Sequence, residues 1–274
     1  MKYSRRSFLE FLGKGSLVGV VSITAMPLLS ACAENIQEIT DRPYAAAINF
    51  ESIEAIKADE VRLAHGFKQQ LLVKFGDPIS EKDYFGTHND YLAFVPLNSE
   101  ASEGILWSNH EYLDPILMGT YAPIAQKTLA QVEKEQYAVG GSLVHIKLVD
   151  NELWEIVPNS EYNRRITGKT AIPFHWDEEI SGSKEAIGTF AGCAGGVTPW
   201  GTILSCEENT DIFYGDNIYN ELTGEVINKL PGSYGWEKHF NYAPEHYGWV
   251  VEVNPKTGEA KKLIALGRCA HECA

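Results

Sequence analysis

The sequence has few basic residues for its size. It holds 23 lysines and arginines against 37 aspartates and glutamates, which gives a formal net charge of −14 at pH 7 over 274 residues. Proteins that bind nucleic acid neutralise its phosphates with a basic face, so this balance argues against nucleic-acid binding. An acidic chain fits a protein that collects cations. An ordinary soluble acidic surface would give the same balance.

Two common catalytic motifs are also missing. No Gly-Lys-Ser/Thr follows the glycine-rich residues 192–196, which excludes a nucleotide-binding P-loop. No Gly-x-Ser-x-Gly motif marks a serine nucleophile. Cysteine is scarce, because only Cys193, Cys206, Cys269 and Cys273 follow Cys32. In an oxidising compartment these four could form disulfides, and Cys269 could pair with Cys273 or elsewhere.

Residues 1–32 have the pattern of a targeting segment and do not bear on the fold. Residues 4–10, Ser-Arg-Arg-Ser-Phe-Leu-Glu, form a twin-arginine motif, and the apolar stretch 16–31 is too short and too polar for a membrane span. Residues 29–32, Leu-Ser-Ala-Cys, resemble a lipobox and predict lipidation of Cys32. We therefore expect export by the twin-arginine translocase to the periplasm or the outer face of the membrane, with a lipid anchor. An uncleaved anchor or a plain signal peptide would fit the same residues.

The rest of the chain has the pattern of a mostly β protein. Residues 33–60 predict a polar tether that ends in a weak helix, and residues 61–274 predict short strands separated by turns. A helix with an exposed acidic face is predicted over residues 127–136 as a small insertion. Such strand pairs are typical of a sandwich or a propeller, but no strict repeat at a propeller period is visible. Strands are predicted over residues 91–97, 104–109, 142–149, 153–157, 247–253 and 261–266.

The most informative segment is residues 190–209, FAGCAGGVTPWGTILSCEEN. Its small residues let the backbone approach a partner closely, and a short strand then leads to Cys206, Glu207, Glu208 and Asn209. Soft and hard donors at one place suit metals of more than one kind. In a regular strand Glu207 and Glu208 point to opposite faces, so both reach one site only at a bulge or a strand end. A solvated acidic strand end would show the same pattern.

Two arginine-containing segments complete the candidates. Arg268 stands three and four residues before His271 and Glu272, and a guanidinium can grip a phosphoryl oxygen through two hydrogen bonds. Arg164 and Arg165 lie in a predicted loop. They could also bind phosphate, but we favour a structural role in which they tie parts of the fold together by salt bridges.

Several of these segments resemble the PhoX family of bacterial alkaline phosphatases, in the family's order and over most of the chain. The resemblance implies a β-propeller phosphomonoesterase that carries Fe³⁺ and Ca²⁺ in one cluster, unlike the zinc/magnesium alkaline phosphatases. The chain departs from the family pattern at Cys269 and Cys273, where the family usually has a bulky residue and then a glycine. The matching segments are residues 109–111 (NHE), 163–167 (NRRIT), 190–209, 246–253 (HYGWVVEV) and 266–272 (LGRCAHE).

The resemblance also implies roles for individual residues. Phosphate monoester hydrolysis is among the slowest uncatalysed reactions, and multivalent cations both neutralise the phosphoryl oxygens and supply an oxygen nucleophile. Arg268 is then expected to bind the substrate oxygens and, with Glu272, to form the catalytic pair. The substrates would be phosphate esters outside the cytoplasm. The implied metal ligands are Cys206, Glu207, Glu208, Glu111 and Glu272.

Two alternatives to this function remain open at the level of sequence. Calcium-dependent propeller lactonases and phytases use similar funnels of carboxylates. Family members also run well past the motif that ends this chain, so we expect an N-terminal portion or a truncated member with an incomplete propeller. A chain that is complete at 274 residues would favour a non-catalytic binding protein.

Overall fold

A computed structural model of the protein describes residues 50–150 and 153–274. The twin-arginine motif, the lipobox with Cys32 and residues 33–49 lie outside the described residues, so the expectations about them stay predictions. The chain divides into two units, residues 1–69 and residues 70–274. In the described part of the first unit, residues 50–69, there is no helix or strand, so the weak helix predicted there is wrong.

The first large sheet of the second unit is an antiparallel meander. Its central strand pair buries Trp107 and Leu143 opposite each other, because alternate side chains of both strands face the core. Four of the predicted strands lie here within two residues of their expected bounds. The strands are β1 (Asn89–Pro96), β2 (Glu103–His110), β3 (Gly140–Val149) and β4 (Leu153–Ile156), and β5 (Arg164–Ile166) also pairs with β3.

A helix, α1 (Leu129–Ala138), is inserted between β2 and β3. Thr128 begins it with a capping box, in which its side chain accepts from the Gln131 amide and the Gln131 side chain accepts from the Thr128 amide. The predicted helix is confirmed. Its acidic face is not fully exposed, because Glu135 is buried against Lys127 at 2.9 Å and accepts a hydrogen bond from Trp236.

The second large sheet is antiparallel, and the spatial order of its strands is β13 (Ala260–Lys262), β12 (Val250–Val253), β9 (Ile203–Glu207) and β8 (Gly192–Val197). Its edge strand β8 contains the run of small residues that the sequence predicted would let the backbone approach a partner closely. This strand has a bulge between Gly192 and Gly195. A side chain at Gly196 would lie 2.0 Å from the carbonyl oxygen of Ala274, so glycine is needed where the C-terminal residues pass.

Two small strand pairs complete the described fold. The predicted strand 247–253 begins only at Val250, because Gly248 has a φ of 88° and interrupts extended backbone. The predicted strand 261–266 ends at Lys262 and continues as a 3₁₀ turn, Ile264–Leu266. The pairs are β6 (Ala171–Pro173) with β7 (Glu185–Ile187), and β10 (Asp216–Tyr219) with β11 (Val226–Leu230). The short helix α2 (Asp211–Tyr214) precedes β10, and further 3₁₀ turns lie at Ile124–Gln126, Trp236–Lys238 and Pro244–His246.

Both large sheets contribute to one apolar core. Ile105 and Leu143 of the first sheet lie in the same buried cluster as Ile203 and Val251 of the second. A second cluster is mainly aromatic and is centred on Phe190, whose ring is 4.4 Å from that of Tyr247. The prediction of a mostly β fold is therefore confirmed, and the strands pair antiparallel; the propeller arrangement stays a prediction. None of the helices in the described residues has the length and apolar character of a membrane span.

Candidate metal centre

A relay of backbone hydrogen bonds joins the ends of four strands, β1, β2, β8 and β9. The Glu111 amide, just after β2, donates to the His88 carbonyl at 2.9 Å. The Glu111 carbonyl accepts from the Ala191 amide at 3.1 Å, and the Ala191 carbonyl accepts from the Glu208 amide, just after β9, at 2.9 Å. His88 and Ala191 have φ of 45° and 53°, a left-handed conformation that non-glycine residues adopt at a cost of about 1–3 kcal/mol. Such strained backbone is concentrated at functional sites, and here it holds Glu111 from both sides.

Three side chains converge beside this relay. The potential ligand atoms of Asp90, Glu111 and Cys193 all lie within 4.8 Å of one another. Asp90 is exposed and stands in the bulge between Asn89 and Leu92 of β1, while Glu111 and Cys193 are partly buried. Two carboxylates and a thiol at this spacing can bind one metal ion.

Further carboxylates surround the thiol. The Cys193 sulfur lies 3.9 Å from Oε2 of Glu272. Burial, together with the negative charges of the neighbouring carboxylates, raises the pKa of the Cys193 thiol to about 12. A bound cation reverses this effect, because it favours the thiolate that ligates it. The carboxylates that act on the thiol are Glu111, Asp90, Glu208 and Glu272.

The protonation of Glu111 also indicates a place for a cation. Burial, and then the hydrogen bond and negative charge of Asp90, raise the pKa of Glu111 to about 7. Two carboxylates that share one position cannot both ionise freely unless positive charge is supplied. We define Asp90, Glu111, Cys193, Glu208 and Glu272 as the acidic cluster. Its donors, hard carboxylate oxygens and one soft sulfur, suit multivalent cations of more than one kind.

Tyr112 and Asn209 form a wall of the acidic cluster. The Asn209 amide nitrogen donates to the Tyr112 hydroxyl oxygen at 2.8 Å, so the residue predicted to offer a calcium ligand also orients a tyrosine. Burial raises the pKa of Tyr112 to about 12, and Glu111 is one of the nearby carboxylates that add to this. The hydroxyl therefore stays protonated and can donate to Glu111.

Of the five predicted metal ligands, Glu111, Glu208 and Glu272 all act on the Cys193 thiol, whereas Cys206 and Glu207 are fully buried. Cys206 is fully buried in β9, and burial followed by the nearby Cys273 thiol raises its pKa to about 11. No carboxylate is among the causes of that shift. Its assignment as a ligand stays a prediction, and the geometry favours Cys193 for this role.

Glu207 is separated from the acidic cluster by its own bonding. Oε1 lies 2.7 Å from Nζ of Lys262, and Oε2 accepts from the backbone amides of Gly248 and Trp249 at 3.0 and 3.1 Å. Both Glu207 and Lys262 have fully buried side chains. Each carboxylate oxygen of Glu207 is thus already satisfied without a metal, whereas the negative charge of Glu208 is close enough to the Cys193 thiol to raise its pKa.

Arg268 lies in a network of its own. Its guanidinium donates to Asp216 at 3.0 Å and to the carbonyl oxygens of Tyr247 and Pro244 at 2.8 and 3.1 Å. These contacts fix the side chain against the 3₁₀ turn Pro244–His246. Its predicted contact with substrate oxygens stays a prediction, and in this structure its partners are Asp216 and backbone carbonyls.

The structural role favoured for Arg164 and Arg165 is confirmed, with a correction to the partners. The donors of both arginines bind backbone carbonyls rather than the carboxylates of salt bridges. The Arg165 guanidinium also lies 5.2 Å from the centre of the Tyr137 ring, and burial lowers its pKa to about 10. The carbonyls around Arg165 belong to Gly141, Tyr84, Tyr137, Ala138 and Val139.

Sequence reasoning missed Asp90 and treated Cys193 only as a possible disulfide partner. Cys193, Cys206, Cys269 and Cys273 are all free in the described structure. The signal for Asp90 was its place directly before the predicted strand 91–97, which pairs with the strand that ends just before Glu111. The pairing of Asn89 with His110 puts the two carboxylates side by side, but that register is not visible in one sequence.

The fold and the acidic cluster define an antiparallel β protein with a carboxylate- and thiol-containing site at its strand ends. Comparison with known proteins agrees: the family model described as "Alkaline phosphatase PhoX" matches residues 48–274. The chain therefore belongs to the PhoX alkaline phosphatase family.

A similar solved structure is that of Pseudomonas fluorescens PhoX in complex with vanadate, a transition state analogue. It has a TM-score of 0.65 and 27% sequence identity, and the match covers 82% of this chain and 45% of that chain. The present chain thus spans less than half the length of that protein. No curated protein matches the chain.

Proposed function

We propose that the protein is a metal-dependent phosphomonoesterase that releases phosphate from esters outside the cytoplasm. The observation that carries this proposal is the convergence of Asp90, Glu111 and Cys193 within 4.8 Å in a chain of the PhoX family. Phosphoryl transfer requires concentrated positive charge at the phosphate, and a nest of carboxylates is how a protein holds multivalent cations. The vanadate bound to the Pseudomonas protein is a transition-state analogue, which supports the same class of reaction.

The acidic cluster would hold the ions, Fe³⁺ and Ca²⁺ in this proposal. Glu111, Asp90, Glu208 and Glu272 supply hard oxygen donors that suit Ca²⁺, and Cys193 supplies the sulfur that favours iron. When bound, such ions neutralise the phosphoryl oxygens and acidify water. The chain's own residues would hold Glu111 in place through the backbone relay and through Tyr112.

The proposal extends to the fold and to the location of the protein. The four-strand meander β1–β4 and the sheet β8-β9-β12-β13 have the size and antiparallel order of propeller blades, which supports a β-propeller arrangement. The twin-arginine motif and the lipobox support export and a lipid anchor at Cys32. Replacing Arg5 and Arg6 by lysine should block export, and Cys32→Ser should abolish incorporation of labelled palmitate.

Hydrolysis of p-nitrophenyl phosphate by the purified, exported chain tests the function. We expect phosphate release that is lost with a chelator and with Cys193→Ala, and stoichiometric iron and calcium in elemental analysis. The control is Cys269→Ala, an exposed thiol that contacts His271 and not the carboxylates. Hydrolysis of lactones without release of phosphate, or protein that contains neither metal, would contradict the proposal.

A further inference from the structure

We propose that Glu207 and Lys262 form a buried positioning pair that sets the geometry of the acidic cluster, and that Glu207 itself does not bind a metal. The inference rests on the proposed function, because it concerns how the chain places Glu208 and Glu272. It assigns the first glutamate of the Cys-Glu-Glu-Asn segment to the scaffold and the second to the site.

The bonding of Glu207 supports the first half of this inference. Its two oxygens together accept three hydrogen bonds, from Lys262 at 2.7 Å and from the amides of Gly248 and Trp249 at 3.0 and 3.1 Å. The side chain has no exposed surface. A metal could reach it only if these bonds broke and left the Lys262 ammonium without its partner in the core, which is strongly unfavourable.

The contacts of Lys262 show that it is built into the structure rather than placed by chance. Its ammonium also donates to the carbonyl oxygen of His246 at 3.0 Å and lies 4.6 Å from the centre of the Tyr247 ring. The pair thus joins β9, β13 and the segment that leads into β12. A fully buried charge that is satisfied on all sides fixes one arrangement of the chains around it.

The backbone of Glu207 connects this pair to the acidic cluster. Its carbonyl oxygen accepts from the His271 amide at 3.0 Å, which places Glu272, the next residue, beside Cys193. Its amide donates to the Trp249 carbonyl at 3.2 Å, and Glu208 follows directly in the chain. One residue therefore positions two carboxylates of the site, and a shift of Glu207 would move both.

Calcium titration of the purified full chain tests the proposal. We expect Lys262→Met to weaken Ca²⁺ binding by about 10- to 100-fold, the usual effect of losing a group that orients metal ligands. Adding Glu207→Gln to that variant removes the unpaired buried charge but keeps an acceptor for Gly248 and Trp249. We expect this double variant to regain most of the Ca²⁺ affinity and of the midpoint of thermal unfolding.

Lys127→Met is the matched control. It breaks the buried Lys127–Glu135 ion pair, which is 2.9 Å long and lies in the helical insertion, so it carries the same kind of destabilisation. We expect it to lower the unfolding midpoint and leave Ca²⁺ affinity within error of the original protein. Should it weaken Ca²⁺ binding as much as Lys262→Met does, the effect is general loss of stability and the proposal is wrong.

The remaining outcomes separate the inference from the proposed function. If the double variant binds Ca²⁺ more weakly than Lys262→Met, or with one ion fewer, Glu207 is a ligand and the inference is wrong. If Lys262→Met does not fold, the double variant and Glu207→Gln are compared with the original protein, and the loss of one bound ion in both identifies Glu207 as a ligand and overturns the inference. Normal Ca²⁺ binding by all variants overturns the inference and leaves the phosphatase proposal intact, whereas an original protein that binds no metal overturns that proposal as well.

Discussion

The side chains of Asn109 and Ser205 join the two large sheets. Oδ1 of Asn109, in β2, accepts from the Ser205 hydroxyl of β9 at 2.8 Å and from the Trp107 indole at 2.7 Å. Its amide nitrogen donates to the Cys193 carbonyl at 2.9 Å. Asn109 is fully buried, so this one amide satisfies polar groups from three strands directly beneath the acidic cluster.

Asn109→Ala should therefore destabilise the fold more than Ser205→Ala. The first change leaves the Trp107 and Ser205 donors and the Cys193 carbonyl unpaired in the core, and each such group costs about 1–3 kcal/mol. The second removes one hydroxyl and leaves Asn109 its other bonds, which costs about 1 kcal/mol. Urea unfolding followed by tryptophan fluorescence measures both. Equal losses would mean that the amide does not join the sheets.

Much of the fold could be predicted because it depends on local pattern. Alternating strands such as residues 142–149 and the Thr128 cap of α1 are determined by their own sequence. The site was harder, because it depends on register. Glu111 and Glu208 were predicted as ligands through the resemblance to the PhoX family. Asp90 was missed because only the pairing of β1 with β2 and its bulge bring it to Glu111.

The same limit of prediction from sequence applies to the choice between Glu207 and Glu208 and to that between Cys193 and Cys206. In the sequence, Cys206 and Glu207 look like the best ligands because they stand beside other donors. In the structure their strand buries both, and their partners, Cys273 and Lys262, lie far away along the chain. A motif therefore locates a site to within a few residues, and the burial and bonding partners of each side chain decide which of them can bind a metal.

Cys193→Ser and Cys206→Ser should differ in their effect on metal content. Cys193 has its sulfur 3.9 Å from Glu272 and lies within the acidic cluster, so losing the thiolate donor should remove iron preferentially. Cys206→Ser places a hydroxyl in a buried position and should lower stability by about 1–3 kcal/mol while keeping the metals. Elemental analysis of the folded variants distinguishes them. Iron loss in Cys206→Ser alone would reverse the assignment made from the geometry.

Arg165→Lys should lower stability even though it keeps the positive charge. The guanidinium binds five backbone carbonyls, from Gly141, Tyr84, Tyr137, Ala138 and Val139, through a planar set of donors that an ammonium cannot reproduce. We expect a loss of about 2–4 kcal/mol in urea unfolding, since several buried acceptors lose their partners. The KM for p-nitrophenyl phosphate should not change. A raised KM with unchanged stability would instead indicate that Arg165 binds phosphate.

His246 should make the fold less stable in mild acid. Burial lowers the pKa of His246 below the ordinary 6.5, and the positive charge of Lys262 lowers it further. The hydrogen bond to the Ile180 carbonyl and the negative charge of Glu245 raise this pKa, but by less than burial lowers it. Below pH 6.5 the unfolded chain binds a proton at His246 more readily than the folded chain does. The free energy of unfolding therefore falls as the pH falls through this range, and the contribution of neutral His246 to stability is fully present above it.

The matched variant for this pH dependence is His246→Gln, which keeps a donor for the Ile180 carbonyl, 2.9 Å away in the native protein, but does not titrate. Urea midpoints at pH 7.5 and pH 5.5 give the comparison. The drop between the two pH values should be smaller in the variant than in the original protein, although other groups still titrate in both. An identical drop would mean that the imidazole at position 246 is protonated equally easily in the folded and the unfolded chain. Its burial against Phe174 would then not oppose its charge.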